Sequence, residues 1–392
     1  MKRAGGSANG GGNIGRRPRK KTGTQAAHNA SGGGAGGASV GLKEGHAASL
    51  GSSTFNPPPA SVPGKPRSYT VSVAISASMI AQLEKAELRT FLAGQIARTL
   101  TIMQVDEVVV YEDAPIPPPG STSSTSTVSK TSTDGPFESA SKKTLDATLF
   151  LARILQYCEC PPYLRKALFP VHRDLQFASM INLESPHHTR IDDPIPFREG
   201  VTLDSTKRKD GSTLVDCGLR GGVPVLIKDK AIKAGVRVTA HLEDASRLSR
   251  LPANTAYVPA AVVSPSFPRE SMGVYWGYTV RLAGSIGKVL SESSYGGGYD
   301  ATIGISEHAP TYIGESVTKE SLGEFKHLMV VFGGAKGLEY SVGADEGLSE
   351  GEDECAELFG FVVRPLVSQG ARRLRTEEAV LITMTTLRNA LE

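Results

Sequence analysis

Leu328-Met-Val-Val-Phe332 constrains this chain more than any other stretch: an unbroken run of large apolar residues, stopped at once by Gly333-Gly334. A strand with one wet face alternates apolar and polar residues, whereas a strand buried on both faces reads as a continuous apolar run. The run therefore predicts a central strand of a parallel sheet with helices on both sides. Gly333, Gly334 and Gly337 then allow a sharp turn and a close approach to a ligand, because glycine has no Cβ and tolerates positive φ. In open α/β sheets ligands settle outside the carboxyl ends of strands, which is where this turn falls. Taken alone, a strand followed by a plain glycine turn explains it equally well.

The spacing excludes two familiar cradles. Gly333-Gly-x-x-Gly337 is not G-x-G-x-x-G, and no G-x-x-x-x-G-K-[ST] occurs anywhere. Elsewhere the pattern is α/β. Tyr69 to Ala74 alternates as a strand, Leu88, Phe91, Leu92, Ile96 and Leu100 mark a helix within 83–102, and Val105 to Tyr111 is a second strand. Strand, helix, strand at this spacing is a βαβ unit, hence parallel pairing. Helical pattern returns at Leu145 to Tyr157 and is stopped by Pro161-Pro162, with a short helix expected over 163–169. Later come strands at Tyr275 to Leu282, Tyr299 to Ile305 and Leu358 to Val363, and a helix near Ser285 to Leu290. The last helix runs from Ala379 to Leu391, with Thr376 as a cap-like residue and Glu377 and Glu378 in the first turn.

Between Phe197 and Val263 the texture changes to five short β runs separated by Gly, Lys, Asp and Pro turns: 200–203, 213–217, 223–227, 236–242 and 257–263. That is the size of an OB-like barrel, a fold that often binds oligonucleotides. Lys207, Arg208 and Lys209 head a basic set here and are candidates for RNA contact, with a merely solvated β-domain as the alternative. Residues 114–141, Pro-rich and then Ser/Thr-rich, form an insertion without a core of its own.

Residues 1–66 are Gly, Ser, Ala, Asn and Pro, too poor in large apolar side chains to offset the entropy of ordering, and are expected to be disordered. Nine Lys and Arg against the single acid Glu44 leave this tail at +8, and since the whole chain is +3, residues 67–392 carry −5. Arg16-Arg-Pro-Arg-Lys-Lys21 reads as a nuclear-localisation or nucleic-acid patch, or else as a solubilising charge run. Four cysteines in a chain of 392 residues do not suggest a disulfide framework. Cys158-Glu-Cys160 lacks a second pair, and His187-His188 lacks a third ligand at metal-binding spacing, so no metal is expected. No apolar run approaches the ~18 residues of a membrane span.

Val330-Val-Phe-Gly-Gly-Ala-Lys-Gly-Leu-Glu339, paired with Arg375-Thr-Glu-Glu-Ala-Val-Leu-Ile382, resembles the SPOUT class of RNA methyltransferases. More narrowly it resembles the archaeal and eukaryotic branch whose catalytic domain is interrupted by a small OB-like barrel. Tyr69-Thr-Val-Ser-Val-Ala, Glu87-Leu-Arg-Thr-Phe-Leu-Ala-Gly-Gln-Ile-Ala-Arg98 and Tyr275-Trp-Gly-Tyr-Thr-Val-Arg-Leu282 extend the likeness over 67–392, apart from two insertions.

The resemblance implies an α/β trefoil-knot domain in two parts, 67–195 and 266–392, with the barrel at 196–265. A knot would be one of the rare exceptions to unknotted topology. It implies that Gly304, Ser306, Gly333, Gly334, Gly337, Gln369, Arg375 and Thr376 hold S-adenosylmethionine. Arg281 matches the family's arginine in its first motif and would place the target phosphate or stabilise charge on the nucleophile. A structural salt bridge at a strand end is the competing account of Arg281. In-line methyl transfer needs no metal and depends on placement. A homodimer and an RNA substrate, ribosomal RNA foremost, follow from the same likeness, while the basic patch at 16–21 points to a nuclear, or nucleolar, location. A catalytically idle RNA- or protein-binding adaptor on the same scaffold is the other reading, and the acceptor atom and RNA position are left open.

Overall fold

The computed structural model describes residues 64–113, 147–191, 193–204, 210–228, 230–345, 347–348 and 354–391. The tail up to residue 63, the 114–141 insertion and Lys207, Arg208 and Lys209 lie outside the described residues. In chain order the strands are β1 (Thr70–Ser76), β2 (Glu107–Tyr111), β3 (Phe197–Thr202), β4 (Thr213–Asp216), β5 (Val225–Ile227) and β6 (Arg237–Leu242). Then follow β7 (Val258–Val263), β8 (Thr279–Ala283), β9 (Ala301–Ile305), β10 (His327–Phe332) and β11 (Phe361–Val363).

Six of them form one sheet in the order β11-β9-β10-β1-β2-β8, every neighbouring pair parallel. The run Leu328 to Phe332 is β10, and it lies inside the sheet with all five side chains at most 1% exposed. The pleat sends Leu328, Val330 and Phe332 into one core and Met329 and Val331 into the other. The first core is closed by helices Ala86–Ile102, Ala147–Glu159 and Thr376–Leu391, the second by the shorter helices Ile286–Ser291 and Leu338–Gly343. Burying a Val or Leu side chain contributes about 1.5–3 kcal/mol, so both faces of β10 drive the fold.

The remaining five strands close into a barrel, β3-β4-β5-β7-β6, lying in the chain between β2 and β8. Its pairs are antiparallel except β5 with β7, which are parallel.

Several elements differ from the sequence expectation: β3 starts at Phe197, three residues before the expected run, and Leu358 ends a short helix, Glu354–Leu358, so that β11 begins only at Phe361. Pairing in β8 begins at Thr279, because Gly277 takes a φ of +88° and breaks the extended run from Tyr275. The aromatic residues before β8 turn inward instead: Tyr275 Oη donates to Val105 O, Tyr278 Oη to Leu155 O and Trp276 Nε1 to Glu199 Oε1. Thr376 does not cap the last helix but is its first residue, which leaves Arg375 in the cap position with its N–H donating to Glu378 Oε2 at 3.0 Å.

Barrel and sheet meet at a buried ion cluster. Arg237 of β6 donates through both terminal nitrogens to Glu159, at 2.6 and 2.9 Å, and through Nε to Glu199 of β3 at 2.6 Å. The adjacent histidines, His187 and His188, both bond to the backbone carbonyl of Glu159, and His187 Nε2 also lies 3.0 Å from its carboxylate. Among the described residues no group of side chains is arranged to hold a metal ion. Burial alone would raise the Glu159 carboxyl, but Arg237 and His187 outweigh it and hold it well below the usual carboxylate range.

Replacing Arg237 with methionine strands two carboxylates whose side chains are 8% and 4% exposed, and should cost about 3–5 kcal/mol in urea unfolding. Because the folded carboxyl of Glu159 is depressed, its share of stability is complete above the unfolded value near ~4.3 and is lost as acid is added below it. The wild-type urea midpoint should therefore fall below about pH 4.3, and this acid dependence should be weaker in Arg237→Met.

Candidate functional site

A cavity of about 810 Å³ opens at the carboxyl ends of β9, β10 and β11. One wall is Ser306, Glu307 and His308, following β9. A second is Gly333 to Gly337, following β10, and a third is Arg372 to Thr376, leading into the last helix. Facing them are Met79, Leu83, Leu88 and Phe91 from the segments that follow β1. The fold thus brings together Ser306, Gly333, Gly334, Gly337, Arg375 and Thr376, which are distant in sequence.

Three expected residues stand elsewhere. Gly304 lies within β9, where an added Cβ would come within 2.6 Å of the Phe359 ring and 2.9 Å of Leu338, so the glycine there admits core packing. Gln369 is exposed and does not line the cavity. Arg281 is on β8, separated from β10 by β1 and β2. Its guanidinium donates to Glu107 at 3.3 Å, to Val289 O at 2.8 Å and to Tyr299 Oη at 3.1 Å. Glu107 is 1% exposed and also accepts from Ser72, Ser294 and Tyr299. Within one chain Arg281 therefore has the strand-end salt bridge, which satisfies a buried carboxylate.

The glycine turn meets the protein itself at close range. Gly337 takes a φ of +99°, a conformation that other residues rarely adopt. Its N–H donates to Gly334 O at 3.0 Å, folding the turn back on itself, and a Cβ on Gly333 would lie 2.2 Å from Leu338 N. A Cβ on Gly334 would lie 1.7 Å from Asp113 Oδ2 and 2.5 Å from Ser78 Oγ. The sequence suggests that these glycines make room for a ligand; at 333 and 334 they make room for neighbouring parts of the chain.

Polar contacts tie the walls to one another. Glu307 Oε1 accepts from Leu374 N at 2.7 Å, Ser306 Oγ donates to Glu339, and Arg373 Nη1 donates to Ala335 O at 3.2 Å. Lys336, Arg372, Arg373 and Arg375 are exposed around the mouth, interspersed with Glu307 and Glu339. Sequence reasoning missed Glu307, His308 and Glu339, as well as the apolar wall. Leu88 and Phe91 belong to the apolar stripe of helix Ala86–Ile102, yet they are 51% and 65% exposed, because the stripe is wider than the face that the sheet covers. The arrangement can hold a mid-sized ligand against backbone groups and apolar side chains, with carboxylates and an imidazole near it to take up a proton.

Gly334→Ala should lower stability by about 1–3 kcal/mol in urea unfolding, since Asp113 or the turn must shift to admit one methyl group. Gly343→Ala, where nothing lies within 4 Å of the added carbon, is the control and should leave the midpoint unchanged or slightly higher.

Comparison with known proteins bears on what this cavity does. Residues 70–387 match a family described as "Putative RNA methyltransferase". A mouse (Mus musculus) relative named 28S rRNA (uridine-N(3))-methyltransferase is 44% identical over 326 residues, which is 83% of this chain and 77% of that protein. The human (Homo sapiens) protein of the same name is 42% identical over 326 residues, covering 83% of this chain and 79% of its own. The Drosophila melanogaster protein of that name is 40% identical over 330 residues, 84% of this chain and 64% of its own. A match over this span, with the α/β sheet and the cavity at its carboxyl edge, means that the chain belongs to this family of RNA methyltransferases.

Proposed function

We propose that this chain methylates N3 of a uridine in large-subunit ribosomal RNA, with S-adenosylmethionine as donor. The observation that carries the reading is the pairing of the relatives' named activity with a cavity formed by the loops after β9 and β10 and the turn before the last helix. The cavity's size suits the donor, since cofactor sites run from roughly 300 to 1,000 Å³. Its chemistry suits it too: Met79, Leu83 and Leu88 offer an apolar wall for an adenine ring, and Glu307 and Glu339 offer negative charge to a cationic ligand.

When bound, the donor would supply an electrophilic methyl from its sulfonium, the methyl–sulfur bond breaking with its electron pair left on a neutral thioether that departs. The chain's own work is placement: the turn Gly333 to Gly337 and the residues Ser306, Arg375 and Thr376 would hold the donor so that nucleophile and methyl carbon lie in line. Uridine N3 carries a hydrogen, so a new N–C bond requires that proton to leave, and Glu307 and His308 are the acceptors the wall provides. N3 also lies on the pairing edge of the base, so the uridine must be unpaired or turned out of its helix to reach the cavity.

The same reading assigns the chain to the SPOUT class, with the last loops threaded as a trefoil knot. It takes the barrel as an OB-like module, in keeping with its five strands and parallel β5–β7 pair. It takes Lys207, Arg208 and Lys209 as an RNA contact of that module, and Arg16 to Lys21 as an address for the nucleus or nucleolus. A homodimer belongs to it as well: Leu88 and Phe91, exposed at the mouth of the cavity, are what a second copy would cover. In such a dimer Arg281 acts on a substrate held at the partner's cavity.

Incubating the full chain with methyl-labelled S-adenosylmethionine and 28S ribosomal RNA fragments should yield N3-methyluridine on nucleoside digestion. Donor binding without any transfer would favour the adaptor reading, and label on another atom would sink the N3 assignment. The dimer is tested by mixing two variants each expected to be impaired alone, Arg281→Ala and Arg375→Ala, the second at an exposed residue of the cavity wall. Composite sites should regain a fraction of wild-type turnover in the mixture; no recovery, with dimers shown to form, would remove Arg281 from the reaction.

A further inference from the structure

Asp113 is 6% exposed, two residues beyond the end of β2, and nothing in the methyl-transfer reading uses it. A carboxylate taken that far out of water is costly unless hydrogen bonds or a counter-charge offset the loss of hydration. Its partner is Ser78, just past the end of β1, whose Oγ donates to Asp113 Oδ2 at 2.8 Å. The same Ser78 Oγ accepts the backbone N–H of Ala335, inside the glycine turn, at 3.0 Å. Ser76 Oγ donates to Ser78 Oγ at 2.9 Å and accepts from Ser78 N at 3.0 Å, which holds the hydroxyl in place. Beside this relay Tyr111, fully buried on β2, donates its Oη to Phe332 O at 2.7 Å, directly before the turn.

We propose that Ser78 and Asp113 form a latch that fixes the donor-binding turn Gly333 to Gly337 to the carboxyl ends of β1 and β2. The inference deepens the methyltransferase reading and depends on it, since the turn is taken to hold S-adenosylmethionine. It accounts for Gly334, because any side chain there would occupy the place of the Asp113 carboxylate. It also accounts for a charged latch. A hydroxyl that donates to a carboxylate is a better acceptor for the next N–H, since hydrogen bonds in series polarise one another. Asp113 and Ser78 are positioning residues: they act on the donor through the Ala335 peptide.

The test compares wild type, Ser78→Ala, Asp113→Ala, Asp113→Asn and the Ser78→Ala/Asp113→Ala double variant. The readouts are S-adenosylmethionine titration calorimetry, thermal unfolding and steady-state methylation. Ser78→Ala should weaken donor affinity by about 10-fold or more, the size of a lost charge-assisted bond. The KM for the donor should rise in step while the KM for RNA stays within about 2-fold. Asp113→Asn keeps an acceptor for the Ser78 hydroxyl and should fall between wild type and Asp113→Ala. The double variant should lose little more than the worse single, as members of one relay do. Should Ser78→Ala fail to fold, the ordering wild type, Asp113→Asn, Asp113→Ala decides the matter alone. Folded variants with unchanged donor affinity would overturn the latch, as would equal losses in the KM for donor and for RNA. A wild-type protein that binds no S-adenosylmethionine would instead overturn the methyltransferase reading, so the two failures are distinguishable.

Discussion

The insertion of β10 between β9 and β1 is the constraint on which the rest of the structure depends. Thr70 to Ala74 pair in register with His327 to Val331, and Leu328 to Phe332 pair with Ala301 to Ile305. A parallel strand with neighbours on both sides satisfies its backbone only if both neighbours are in place, and both of its faces need cover. β1 and β9, more than 200 residues apart in sequence, are therefore locked to the same partner. The carboxyl ends of early and late strands then share one edge, which is why residues near 78 and 113 meet those near 306, 334 and 373. Neither half of the chain could build this cavity alone.

The barrel enters the chain between β2 and β8 and must be held at a defined angle if it is to present anything to the cavity edge. Arg237 does this with three donors to two carboxylates, one on the sheet side and one within the barrel. Such a cluster is weak evidence for net stability, because desolvation offsets most of the attraction. Its value is geometric. Glu199 is also fixed by Thr239 Oγ1 and by Trp276 Nε1, so the ring just before β8 and two barrel strands share one carboxylate. A planar guanidinium that must meet both acids at once tolerates little rotation of the barrel against the sheet.

How much of this was legible in the sequence depended on whether a signal was local. Leu328 to Phe332 declared a doubly buried strand because the pattern depends on its own two faces alone, and the barrel strands declared themselves through turn spacing. Trp276 and Gly277 read as strand in the sequence because apolar content looks the same in a strand and in a linker whose rings turn inward, and a glycine does not by itself announce a positive φ. Thr376 resembled a cap by residue type, whereas the start of the last helix is set one residue earlier by the reach of Glu378. In the cavity, the glycines and Ser306 stood out, but Glu307, Glu339 and Asp113 did not, since an acidic residue is ordinary anywhere on a surface. Their importance comes from partners 33 to 67 residues away, such as Ser306 for Glu339 and Leu374 for Glu307. Arg281 shows the converse case. Motif likeness suggested a role, while Glu107, which binds it, lies 174 residues earlier and carries no motif.

The meaning of a glycine-rich turn shifts accordingly. A bare Gly-Gly-x-x-Gly suggests flexible backbone shaped by its ligand, yet here the turn is gripped from several sides by the protein itself. Phe332 O is bound by Tyr111, Ala335 N by Ser78, Ala335 O by Arg373 and Gly337 N by Gly334. Such a turn has little freedom left to lose on binding, so more of the contact energy can appear as affinity. For a reaction whose rate depends on bringing one nucleophile into line with one methyl carbon, that is where rigidity matters most, because misplacement by about 1 Å can cost on the order of 10²-fold. Glycine is therefore required at 333 and 334 for a reason opposite to flexibility: without a Cβ, the turn can be drawn close enough to the sheet to be held still.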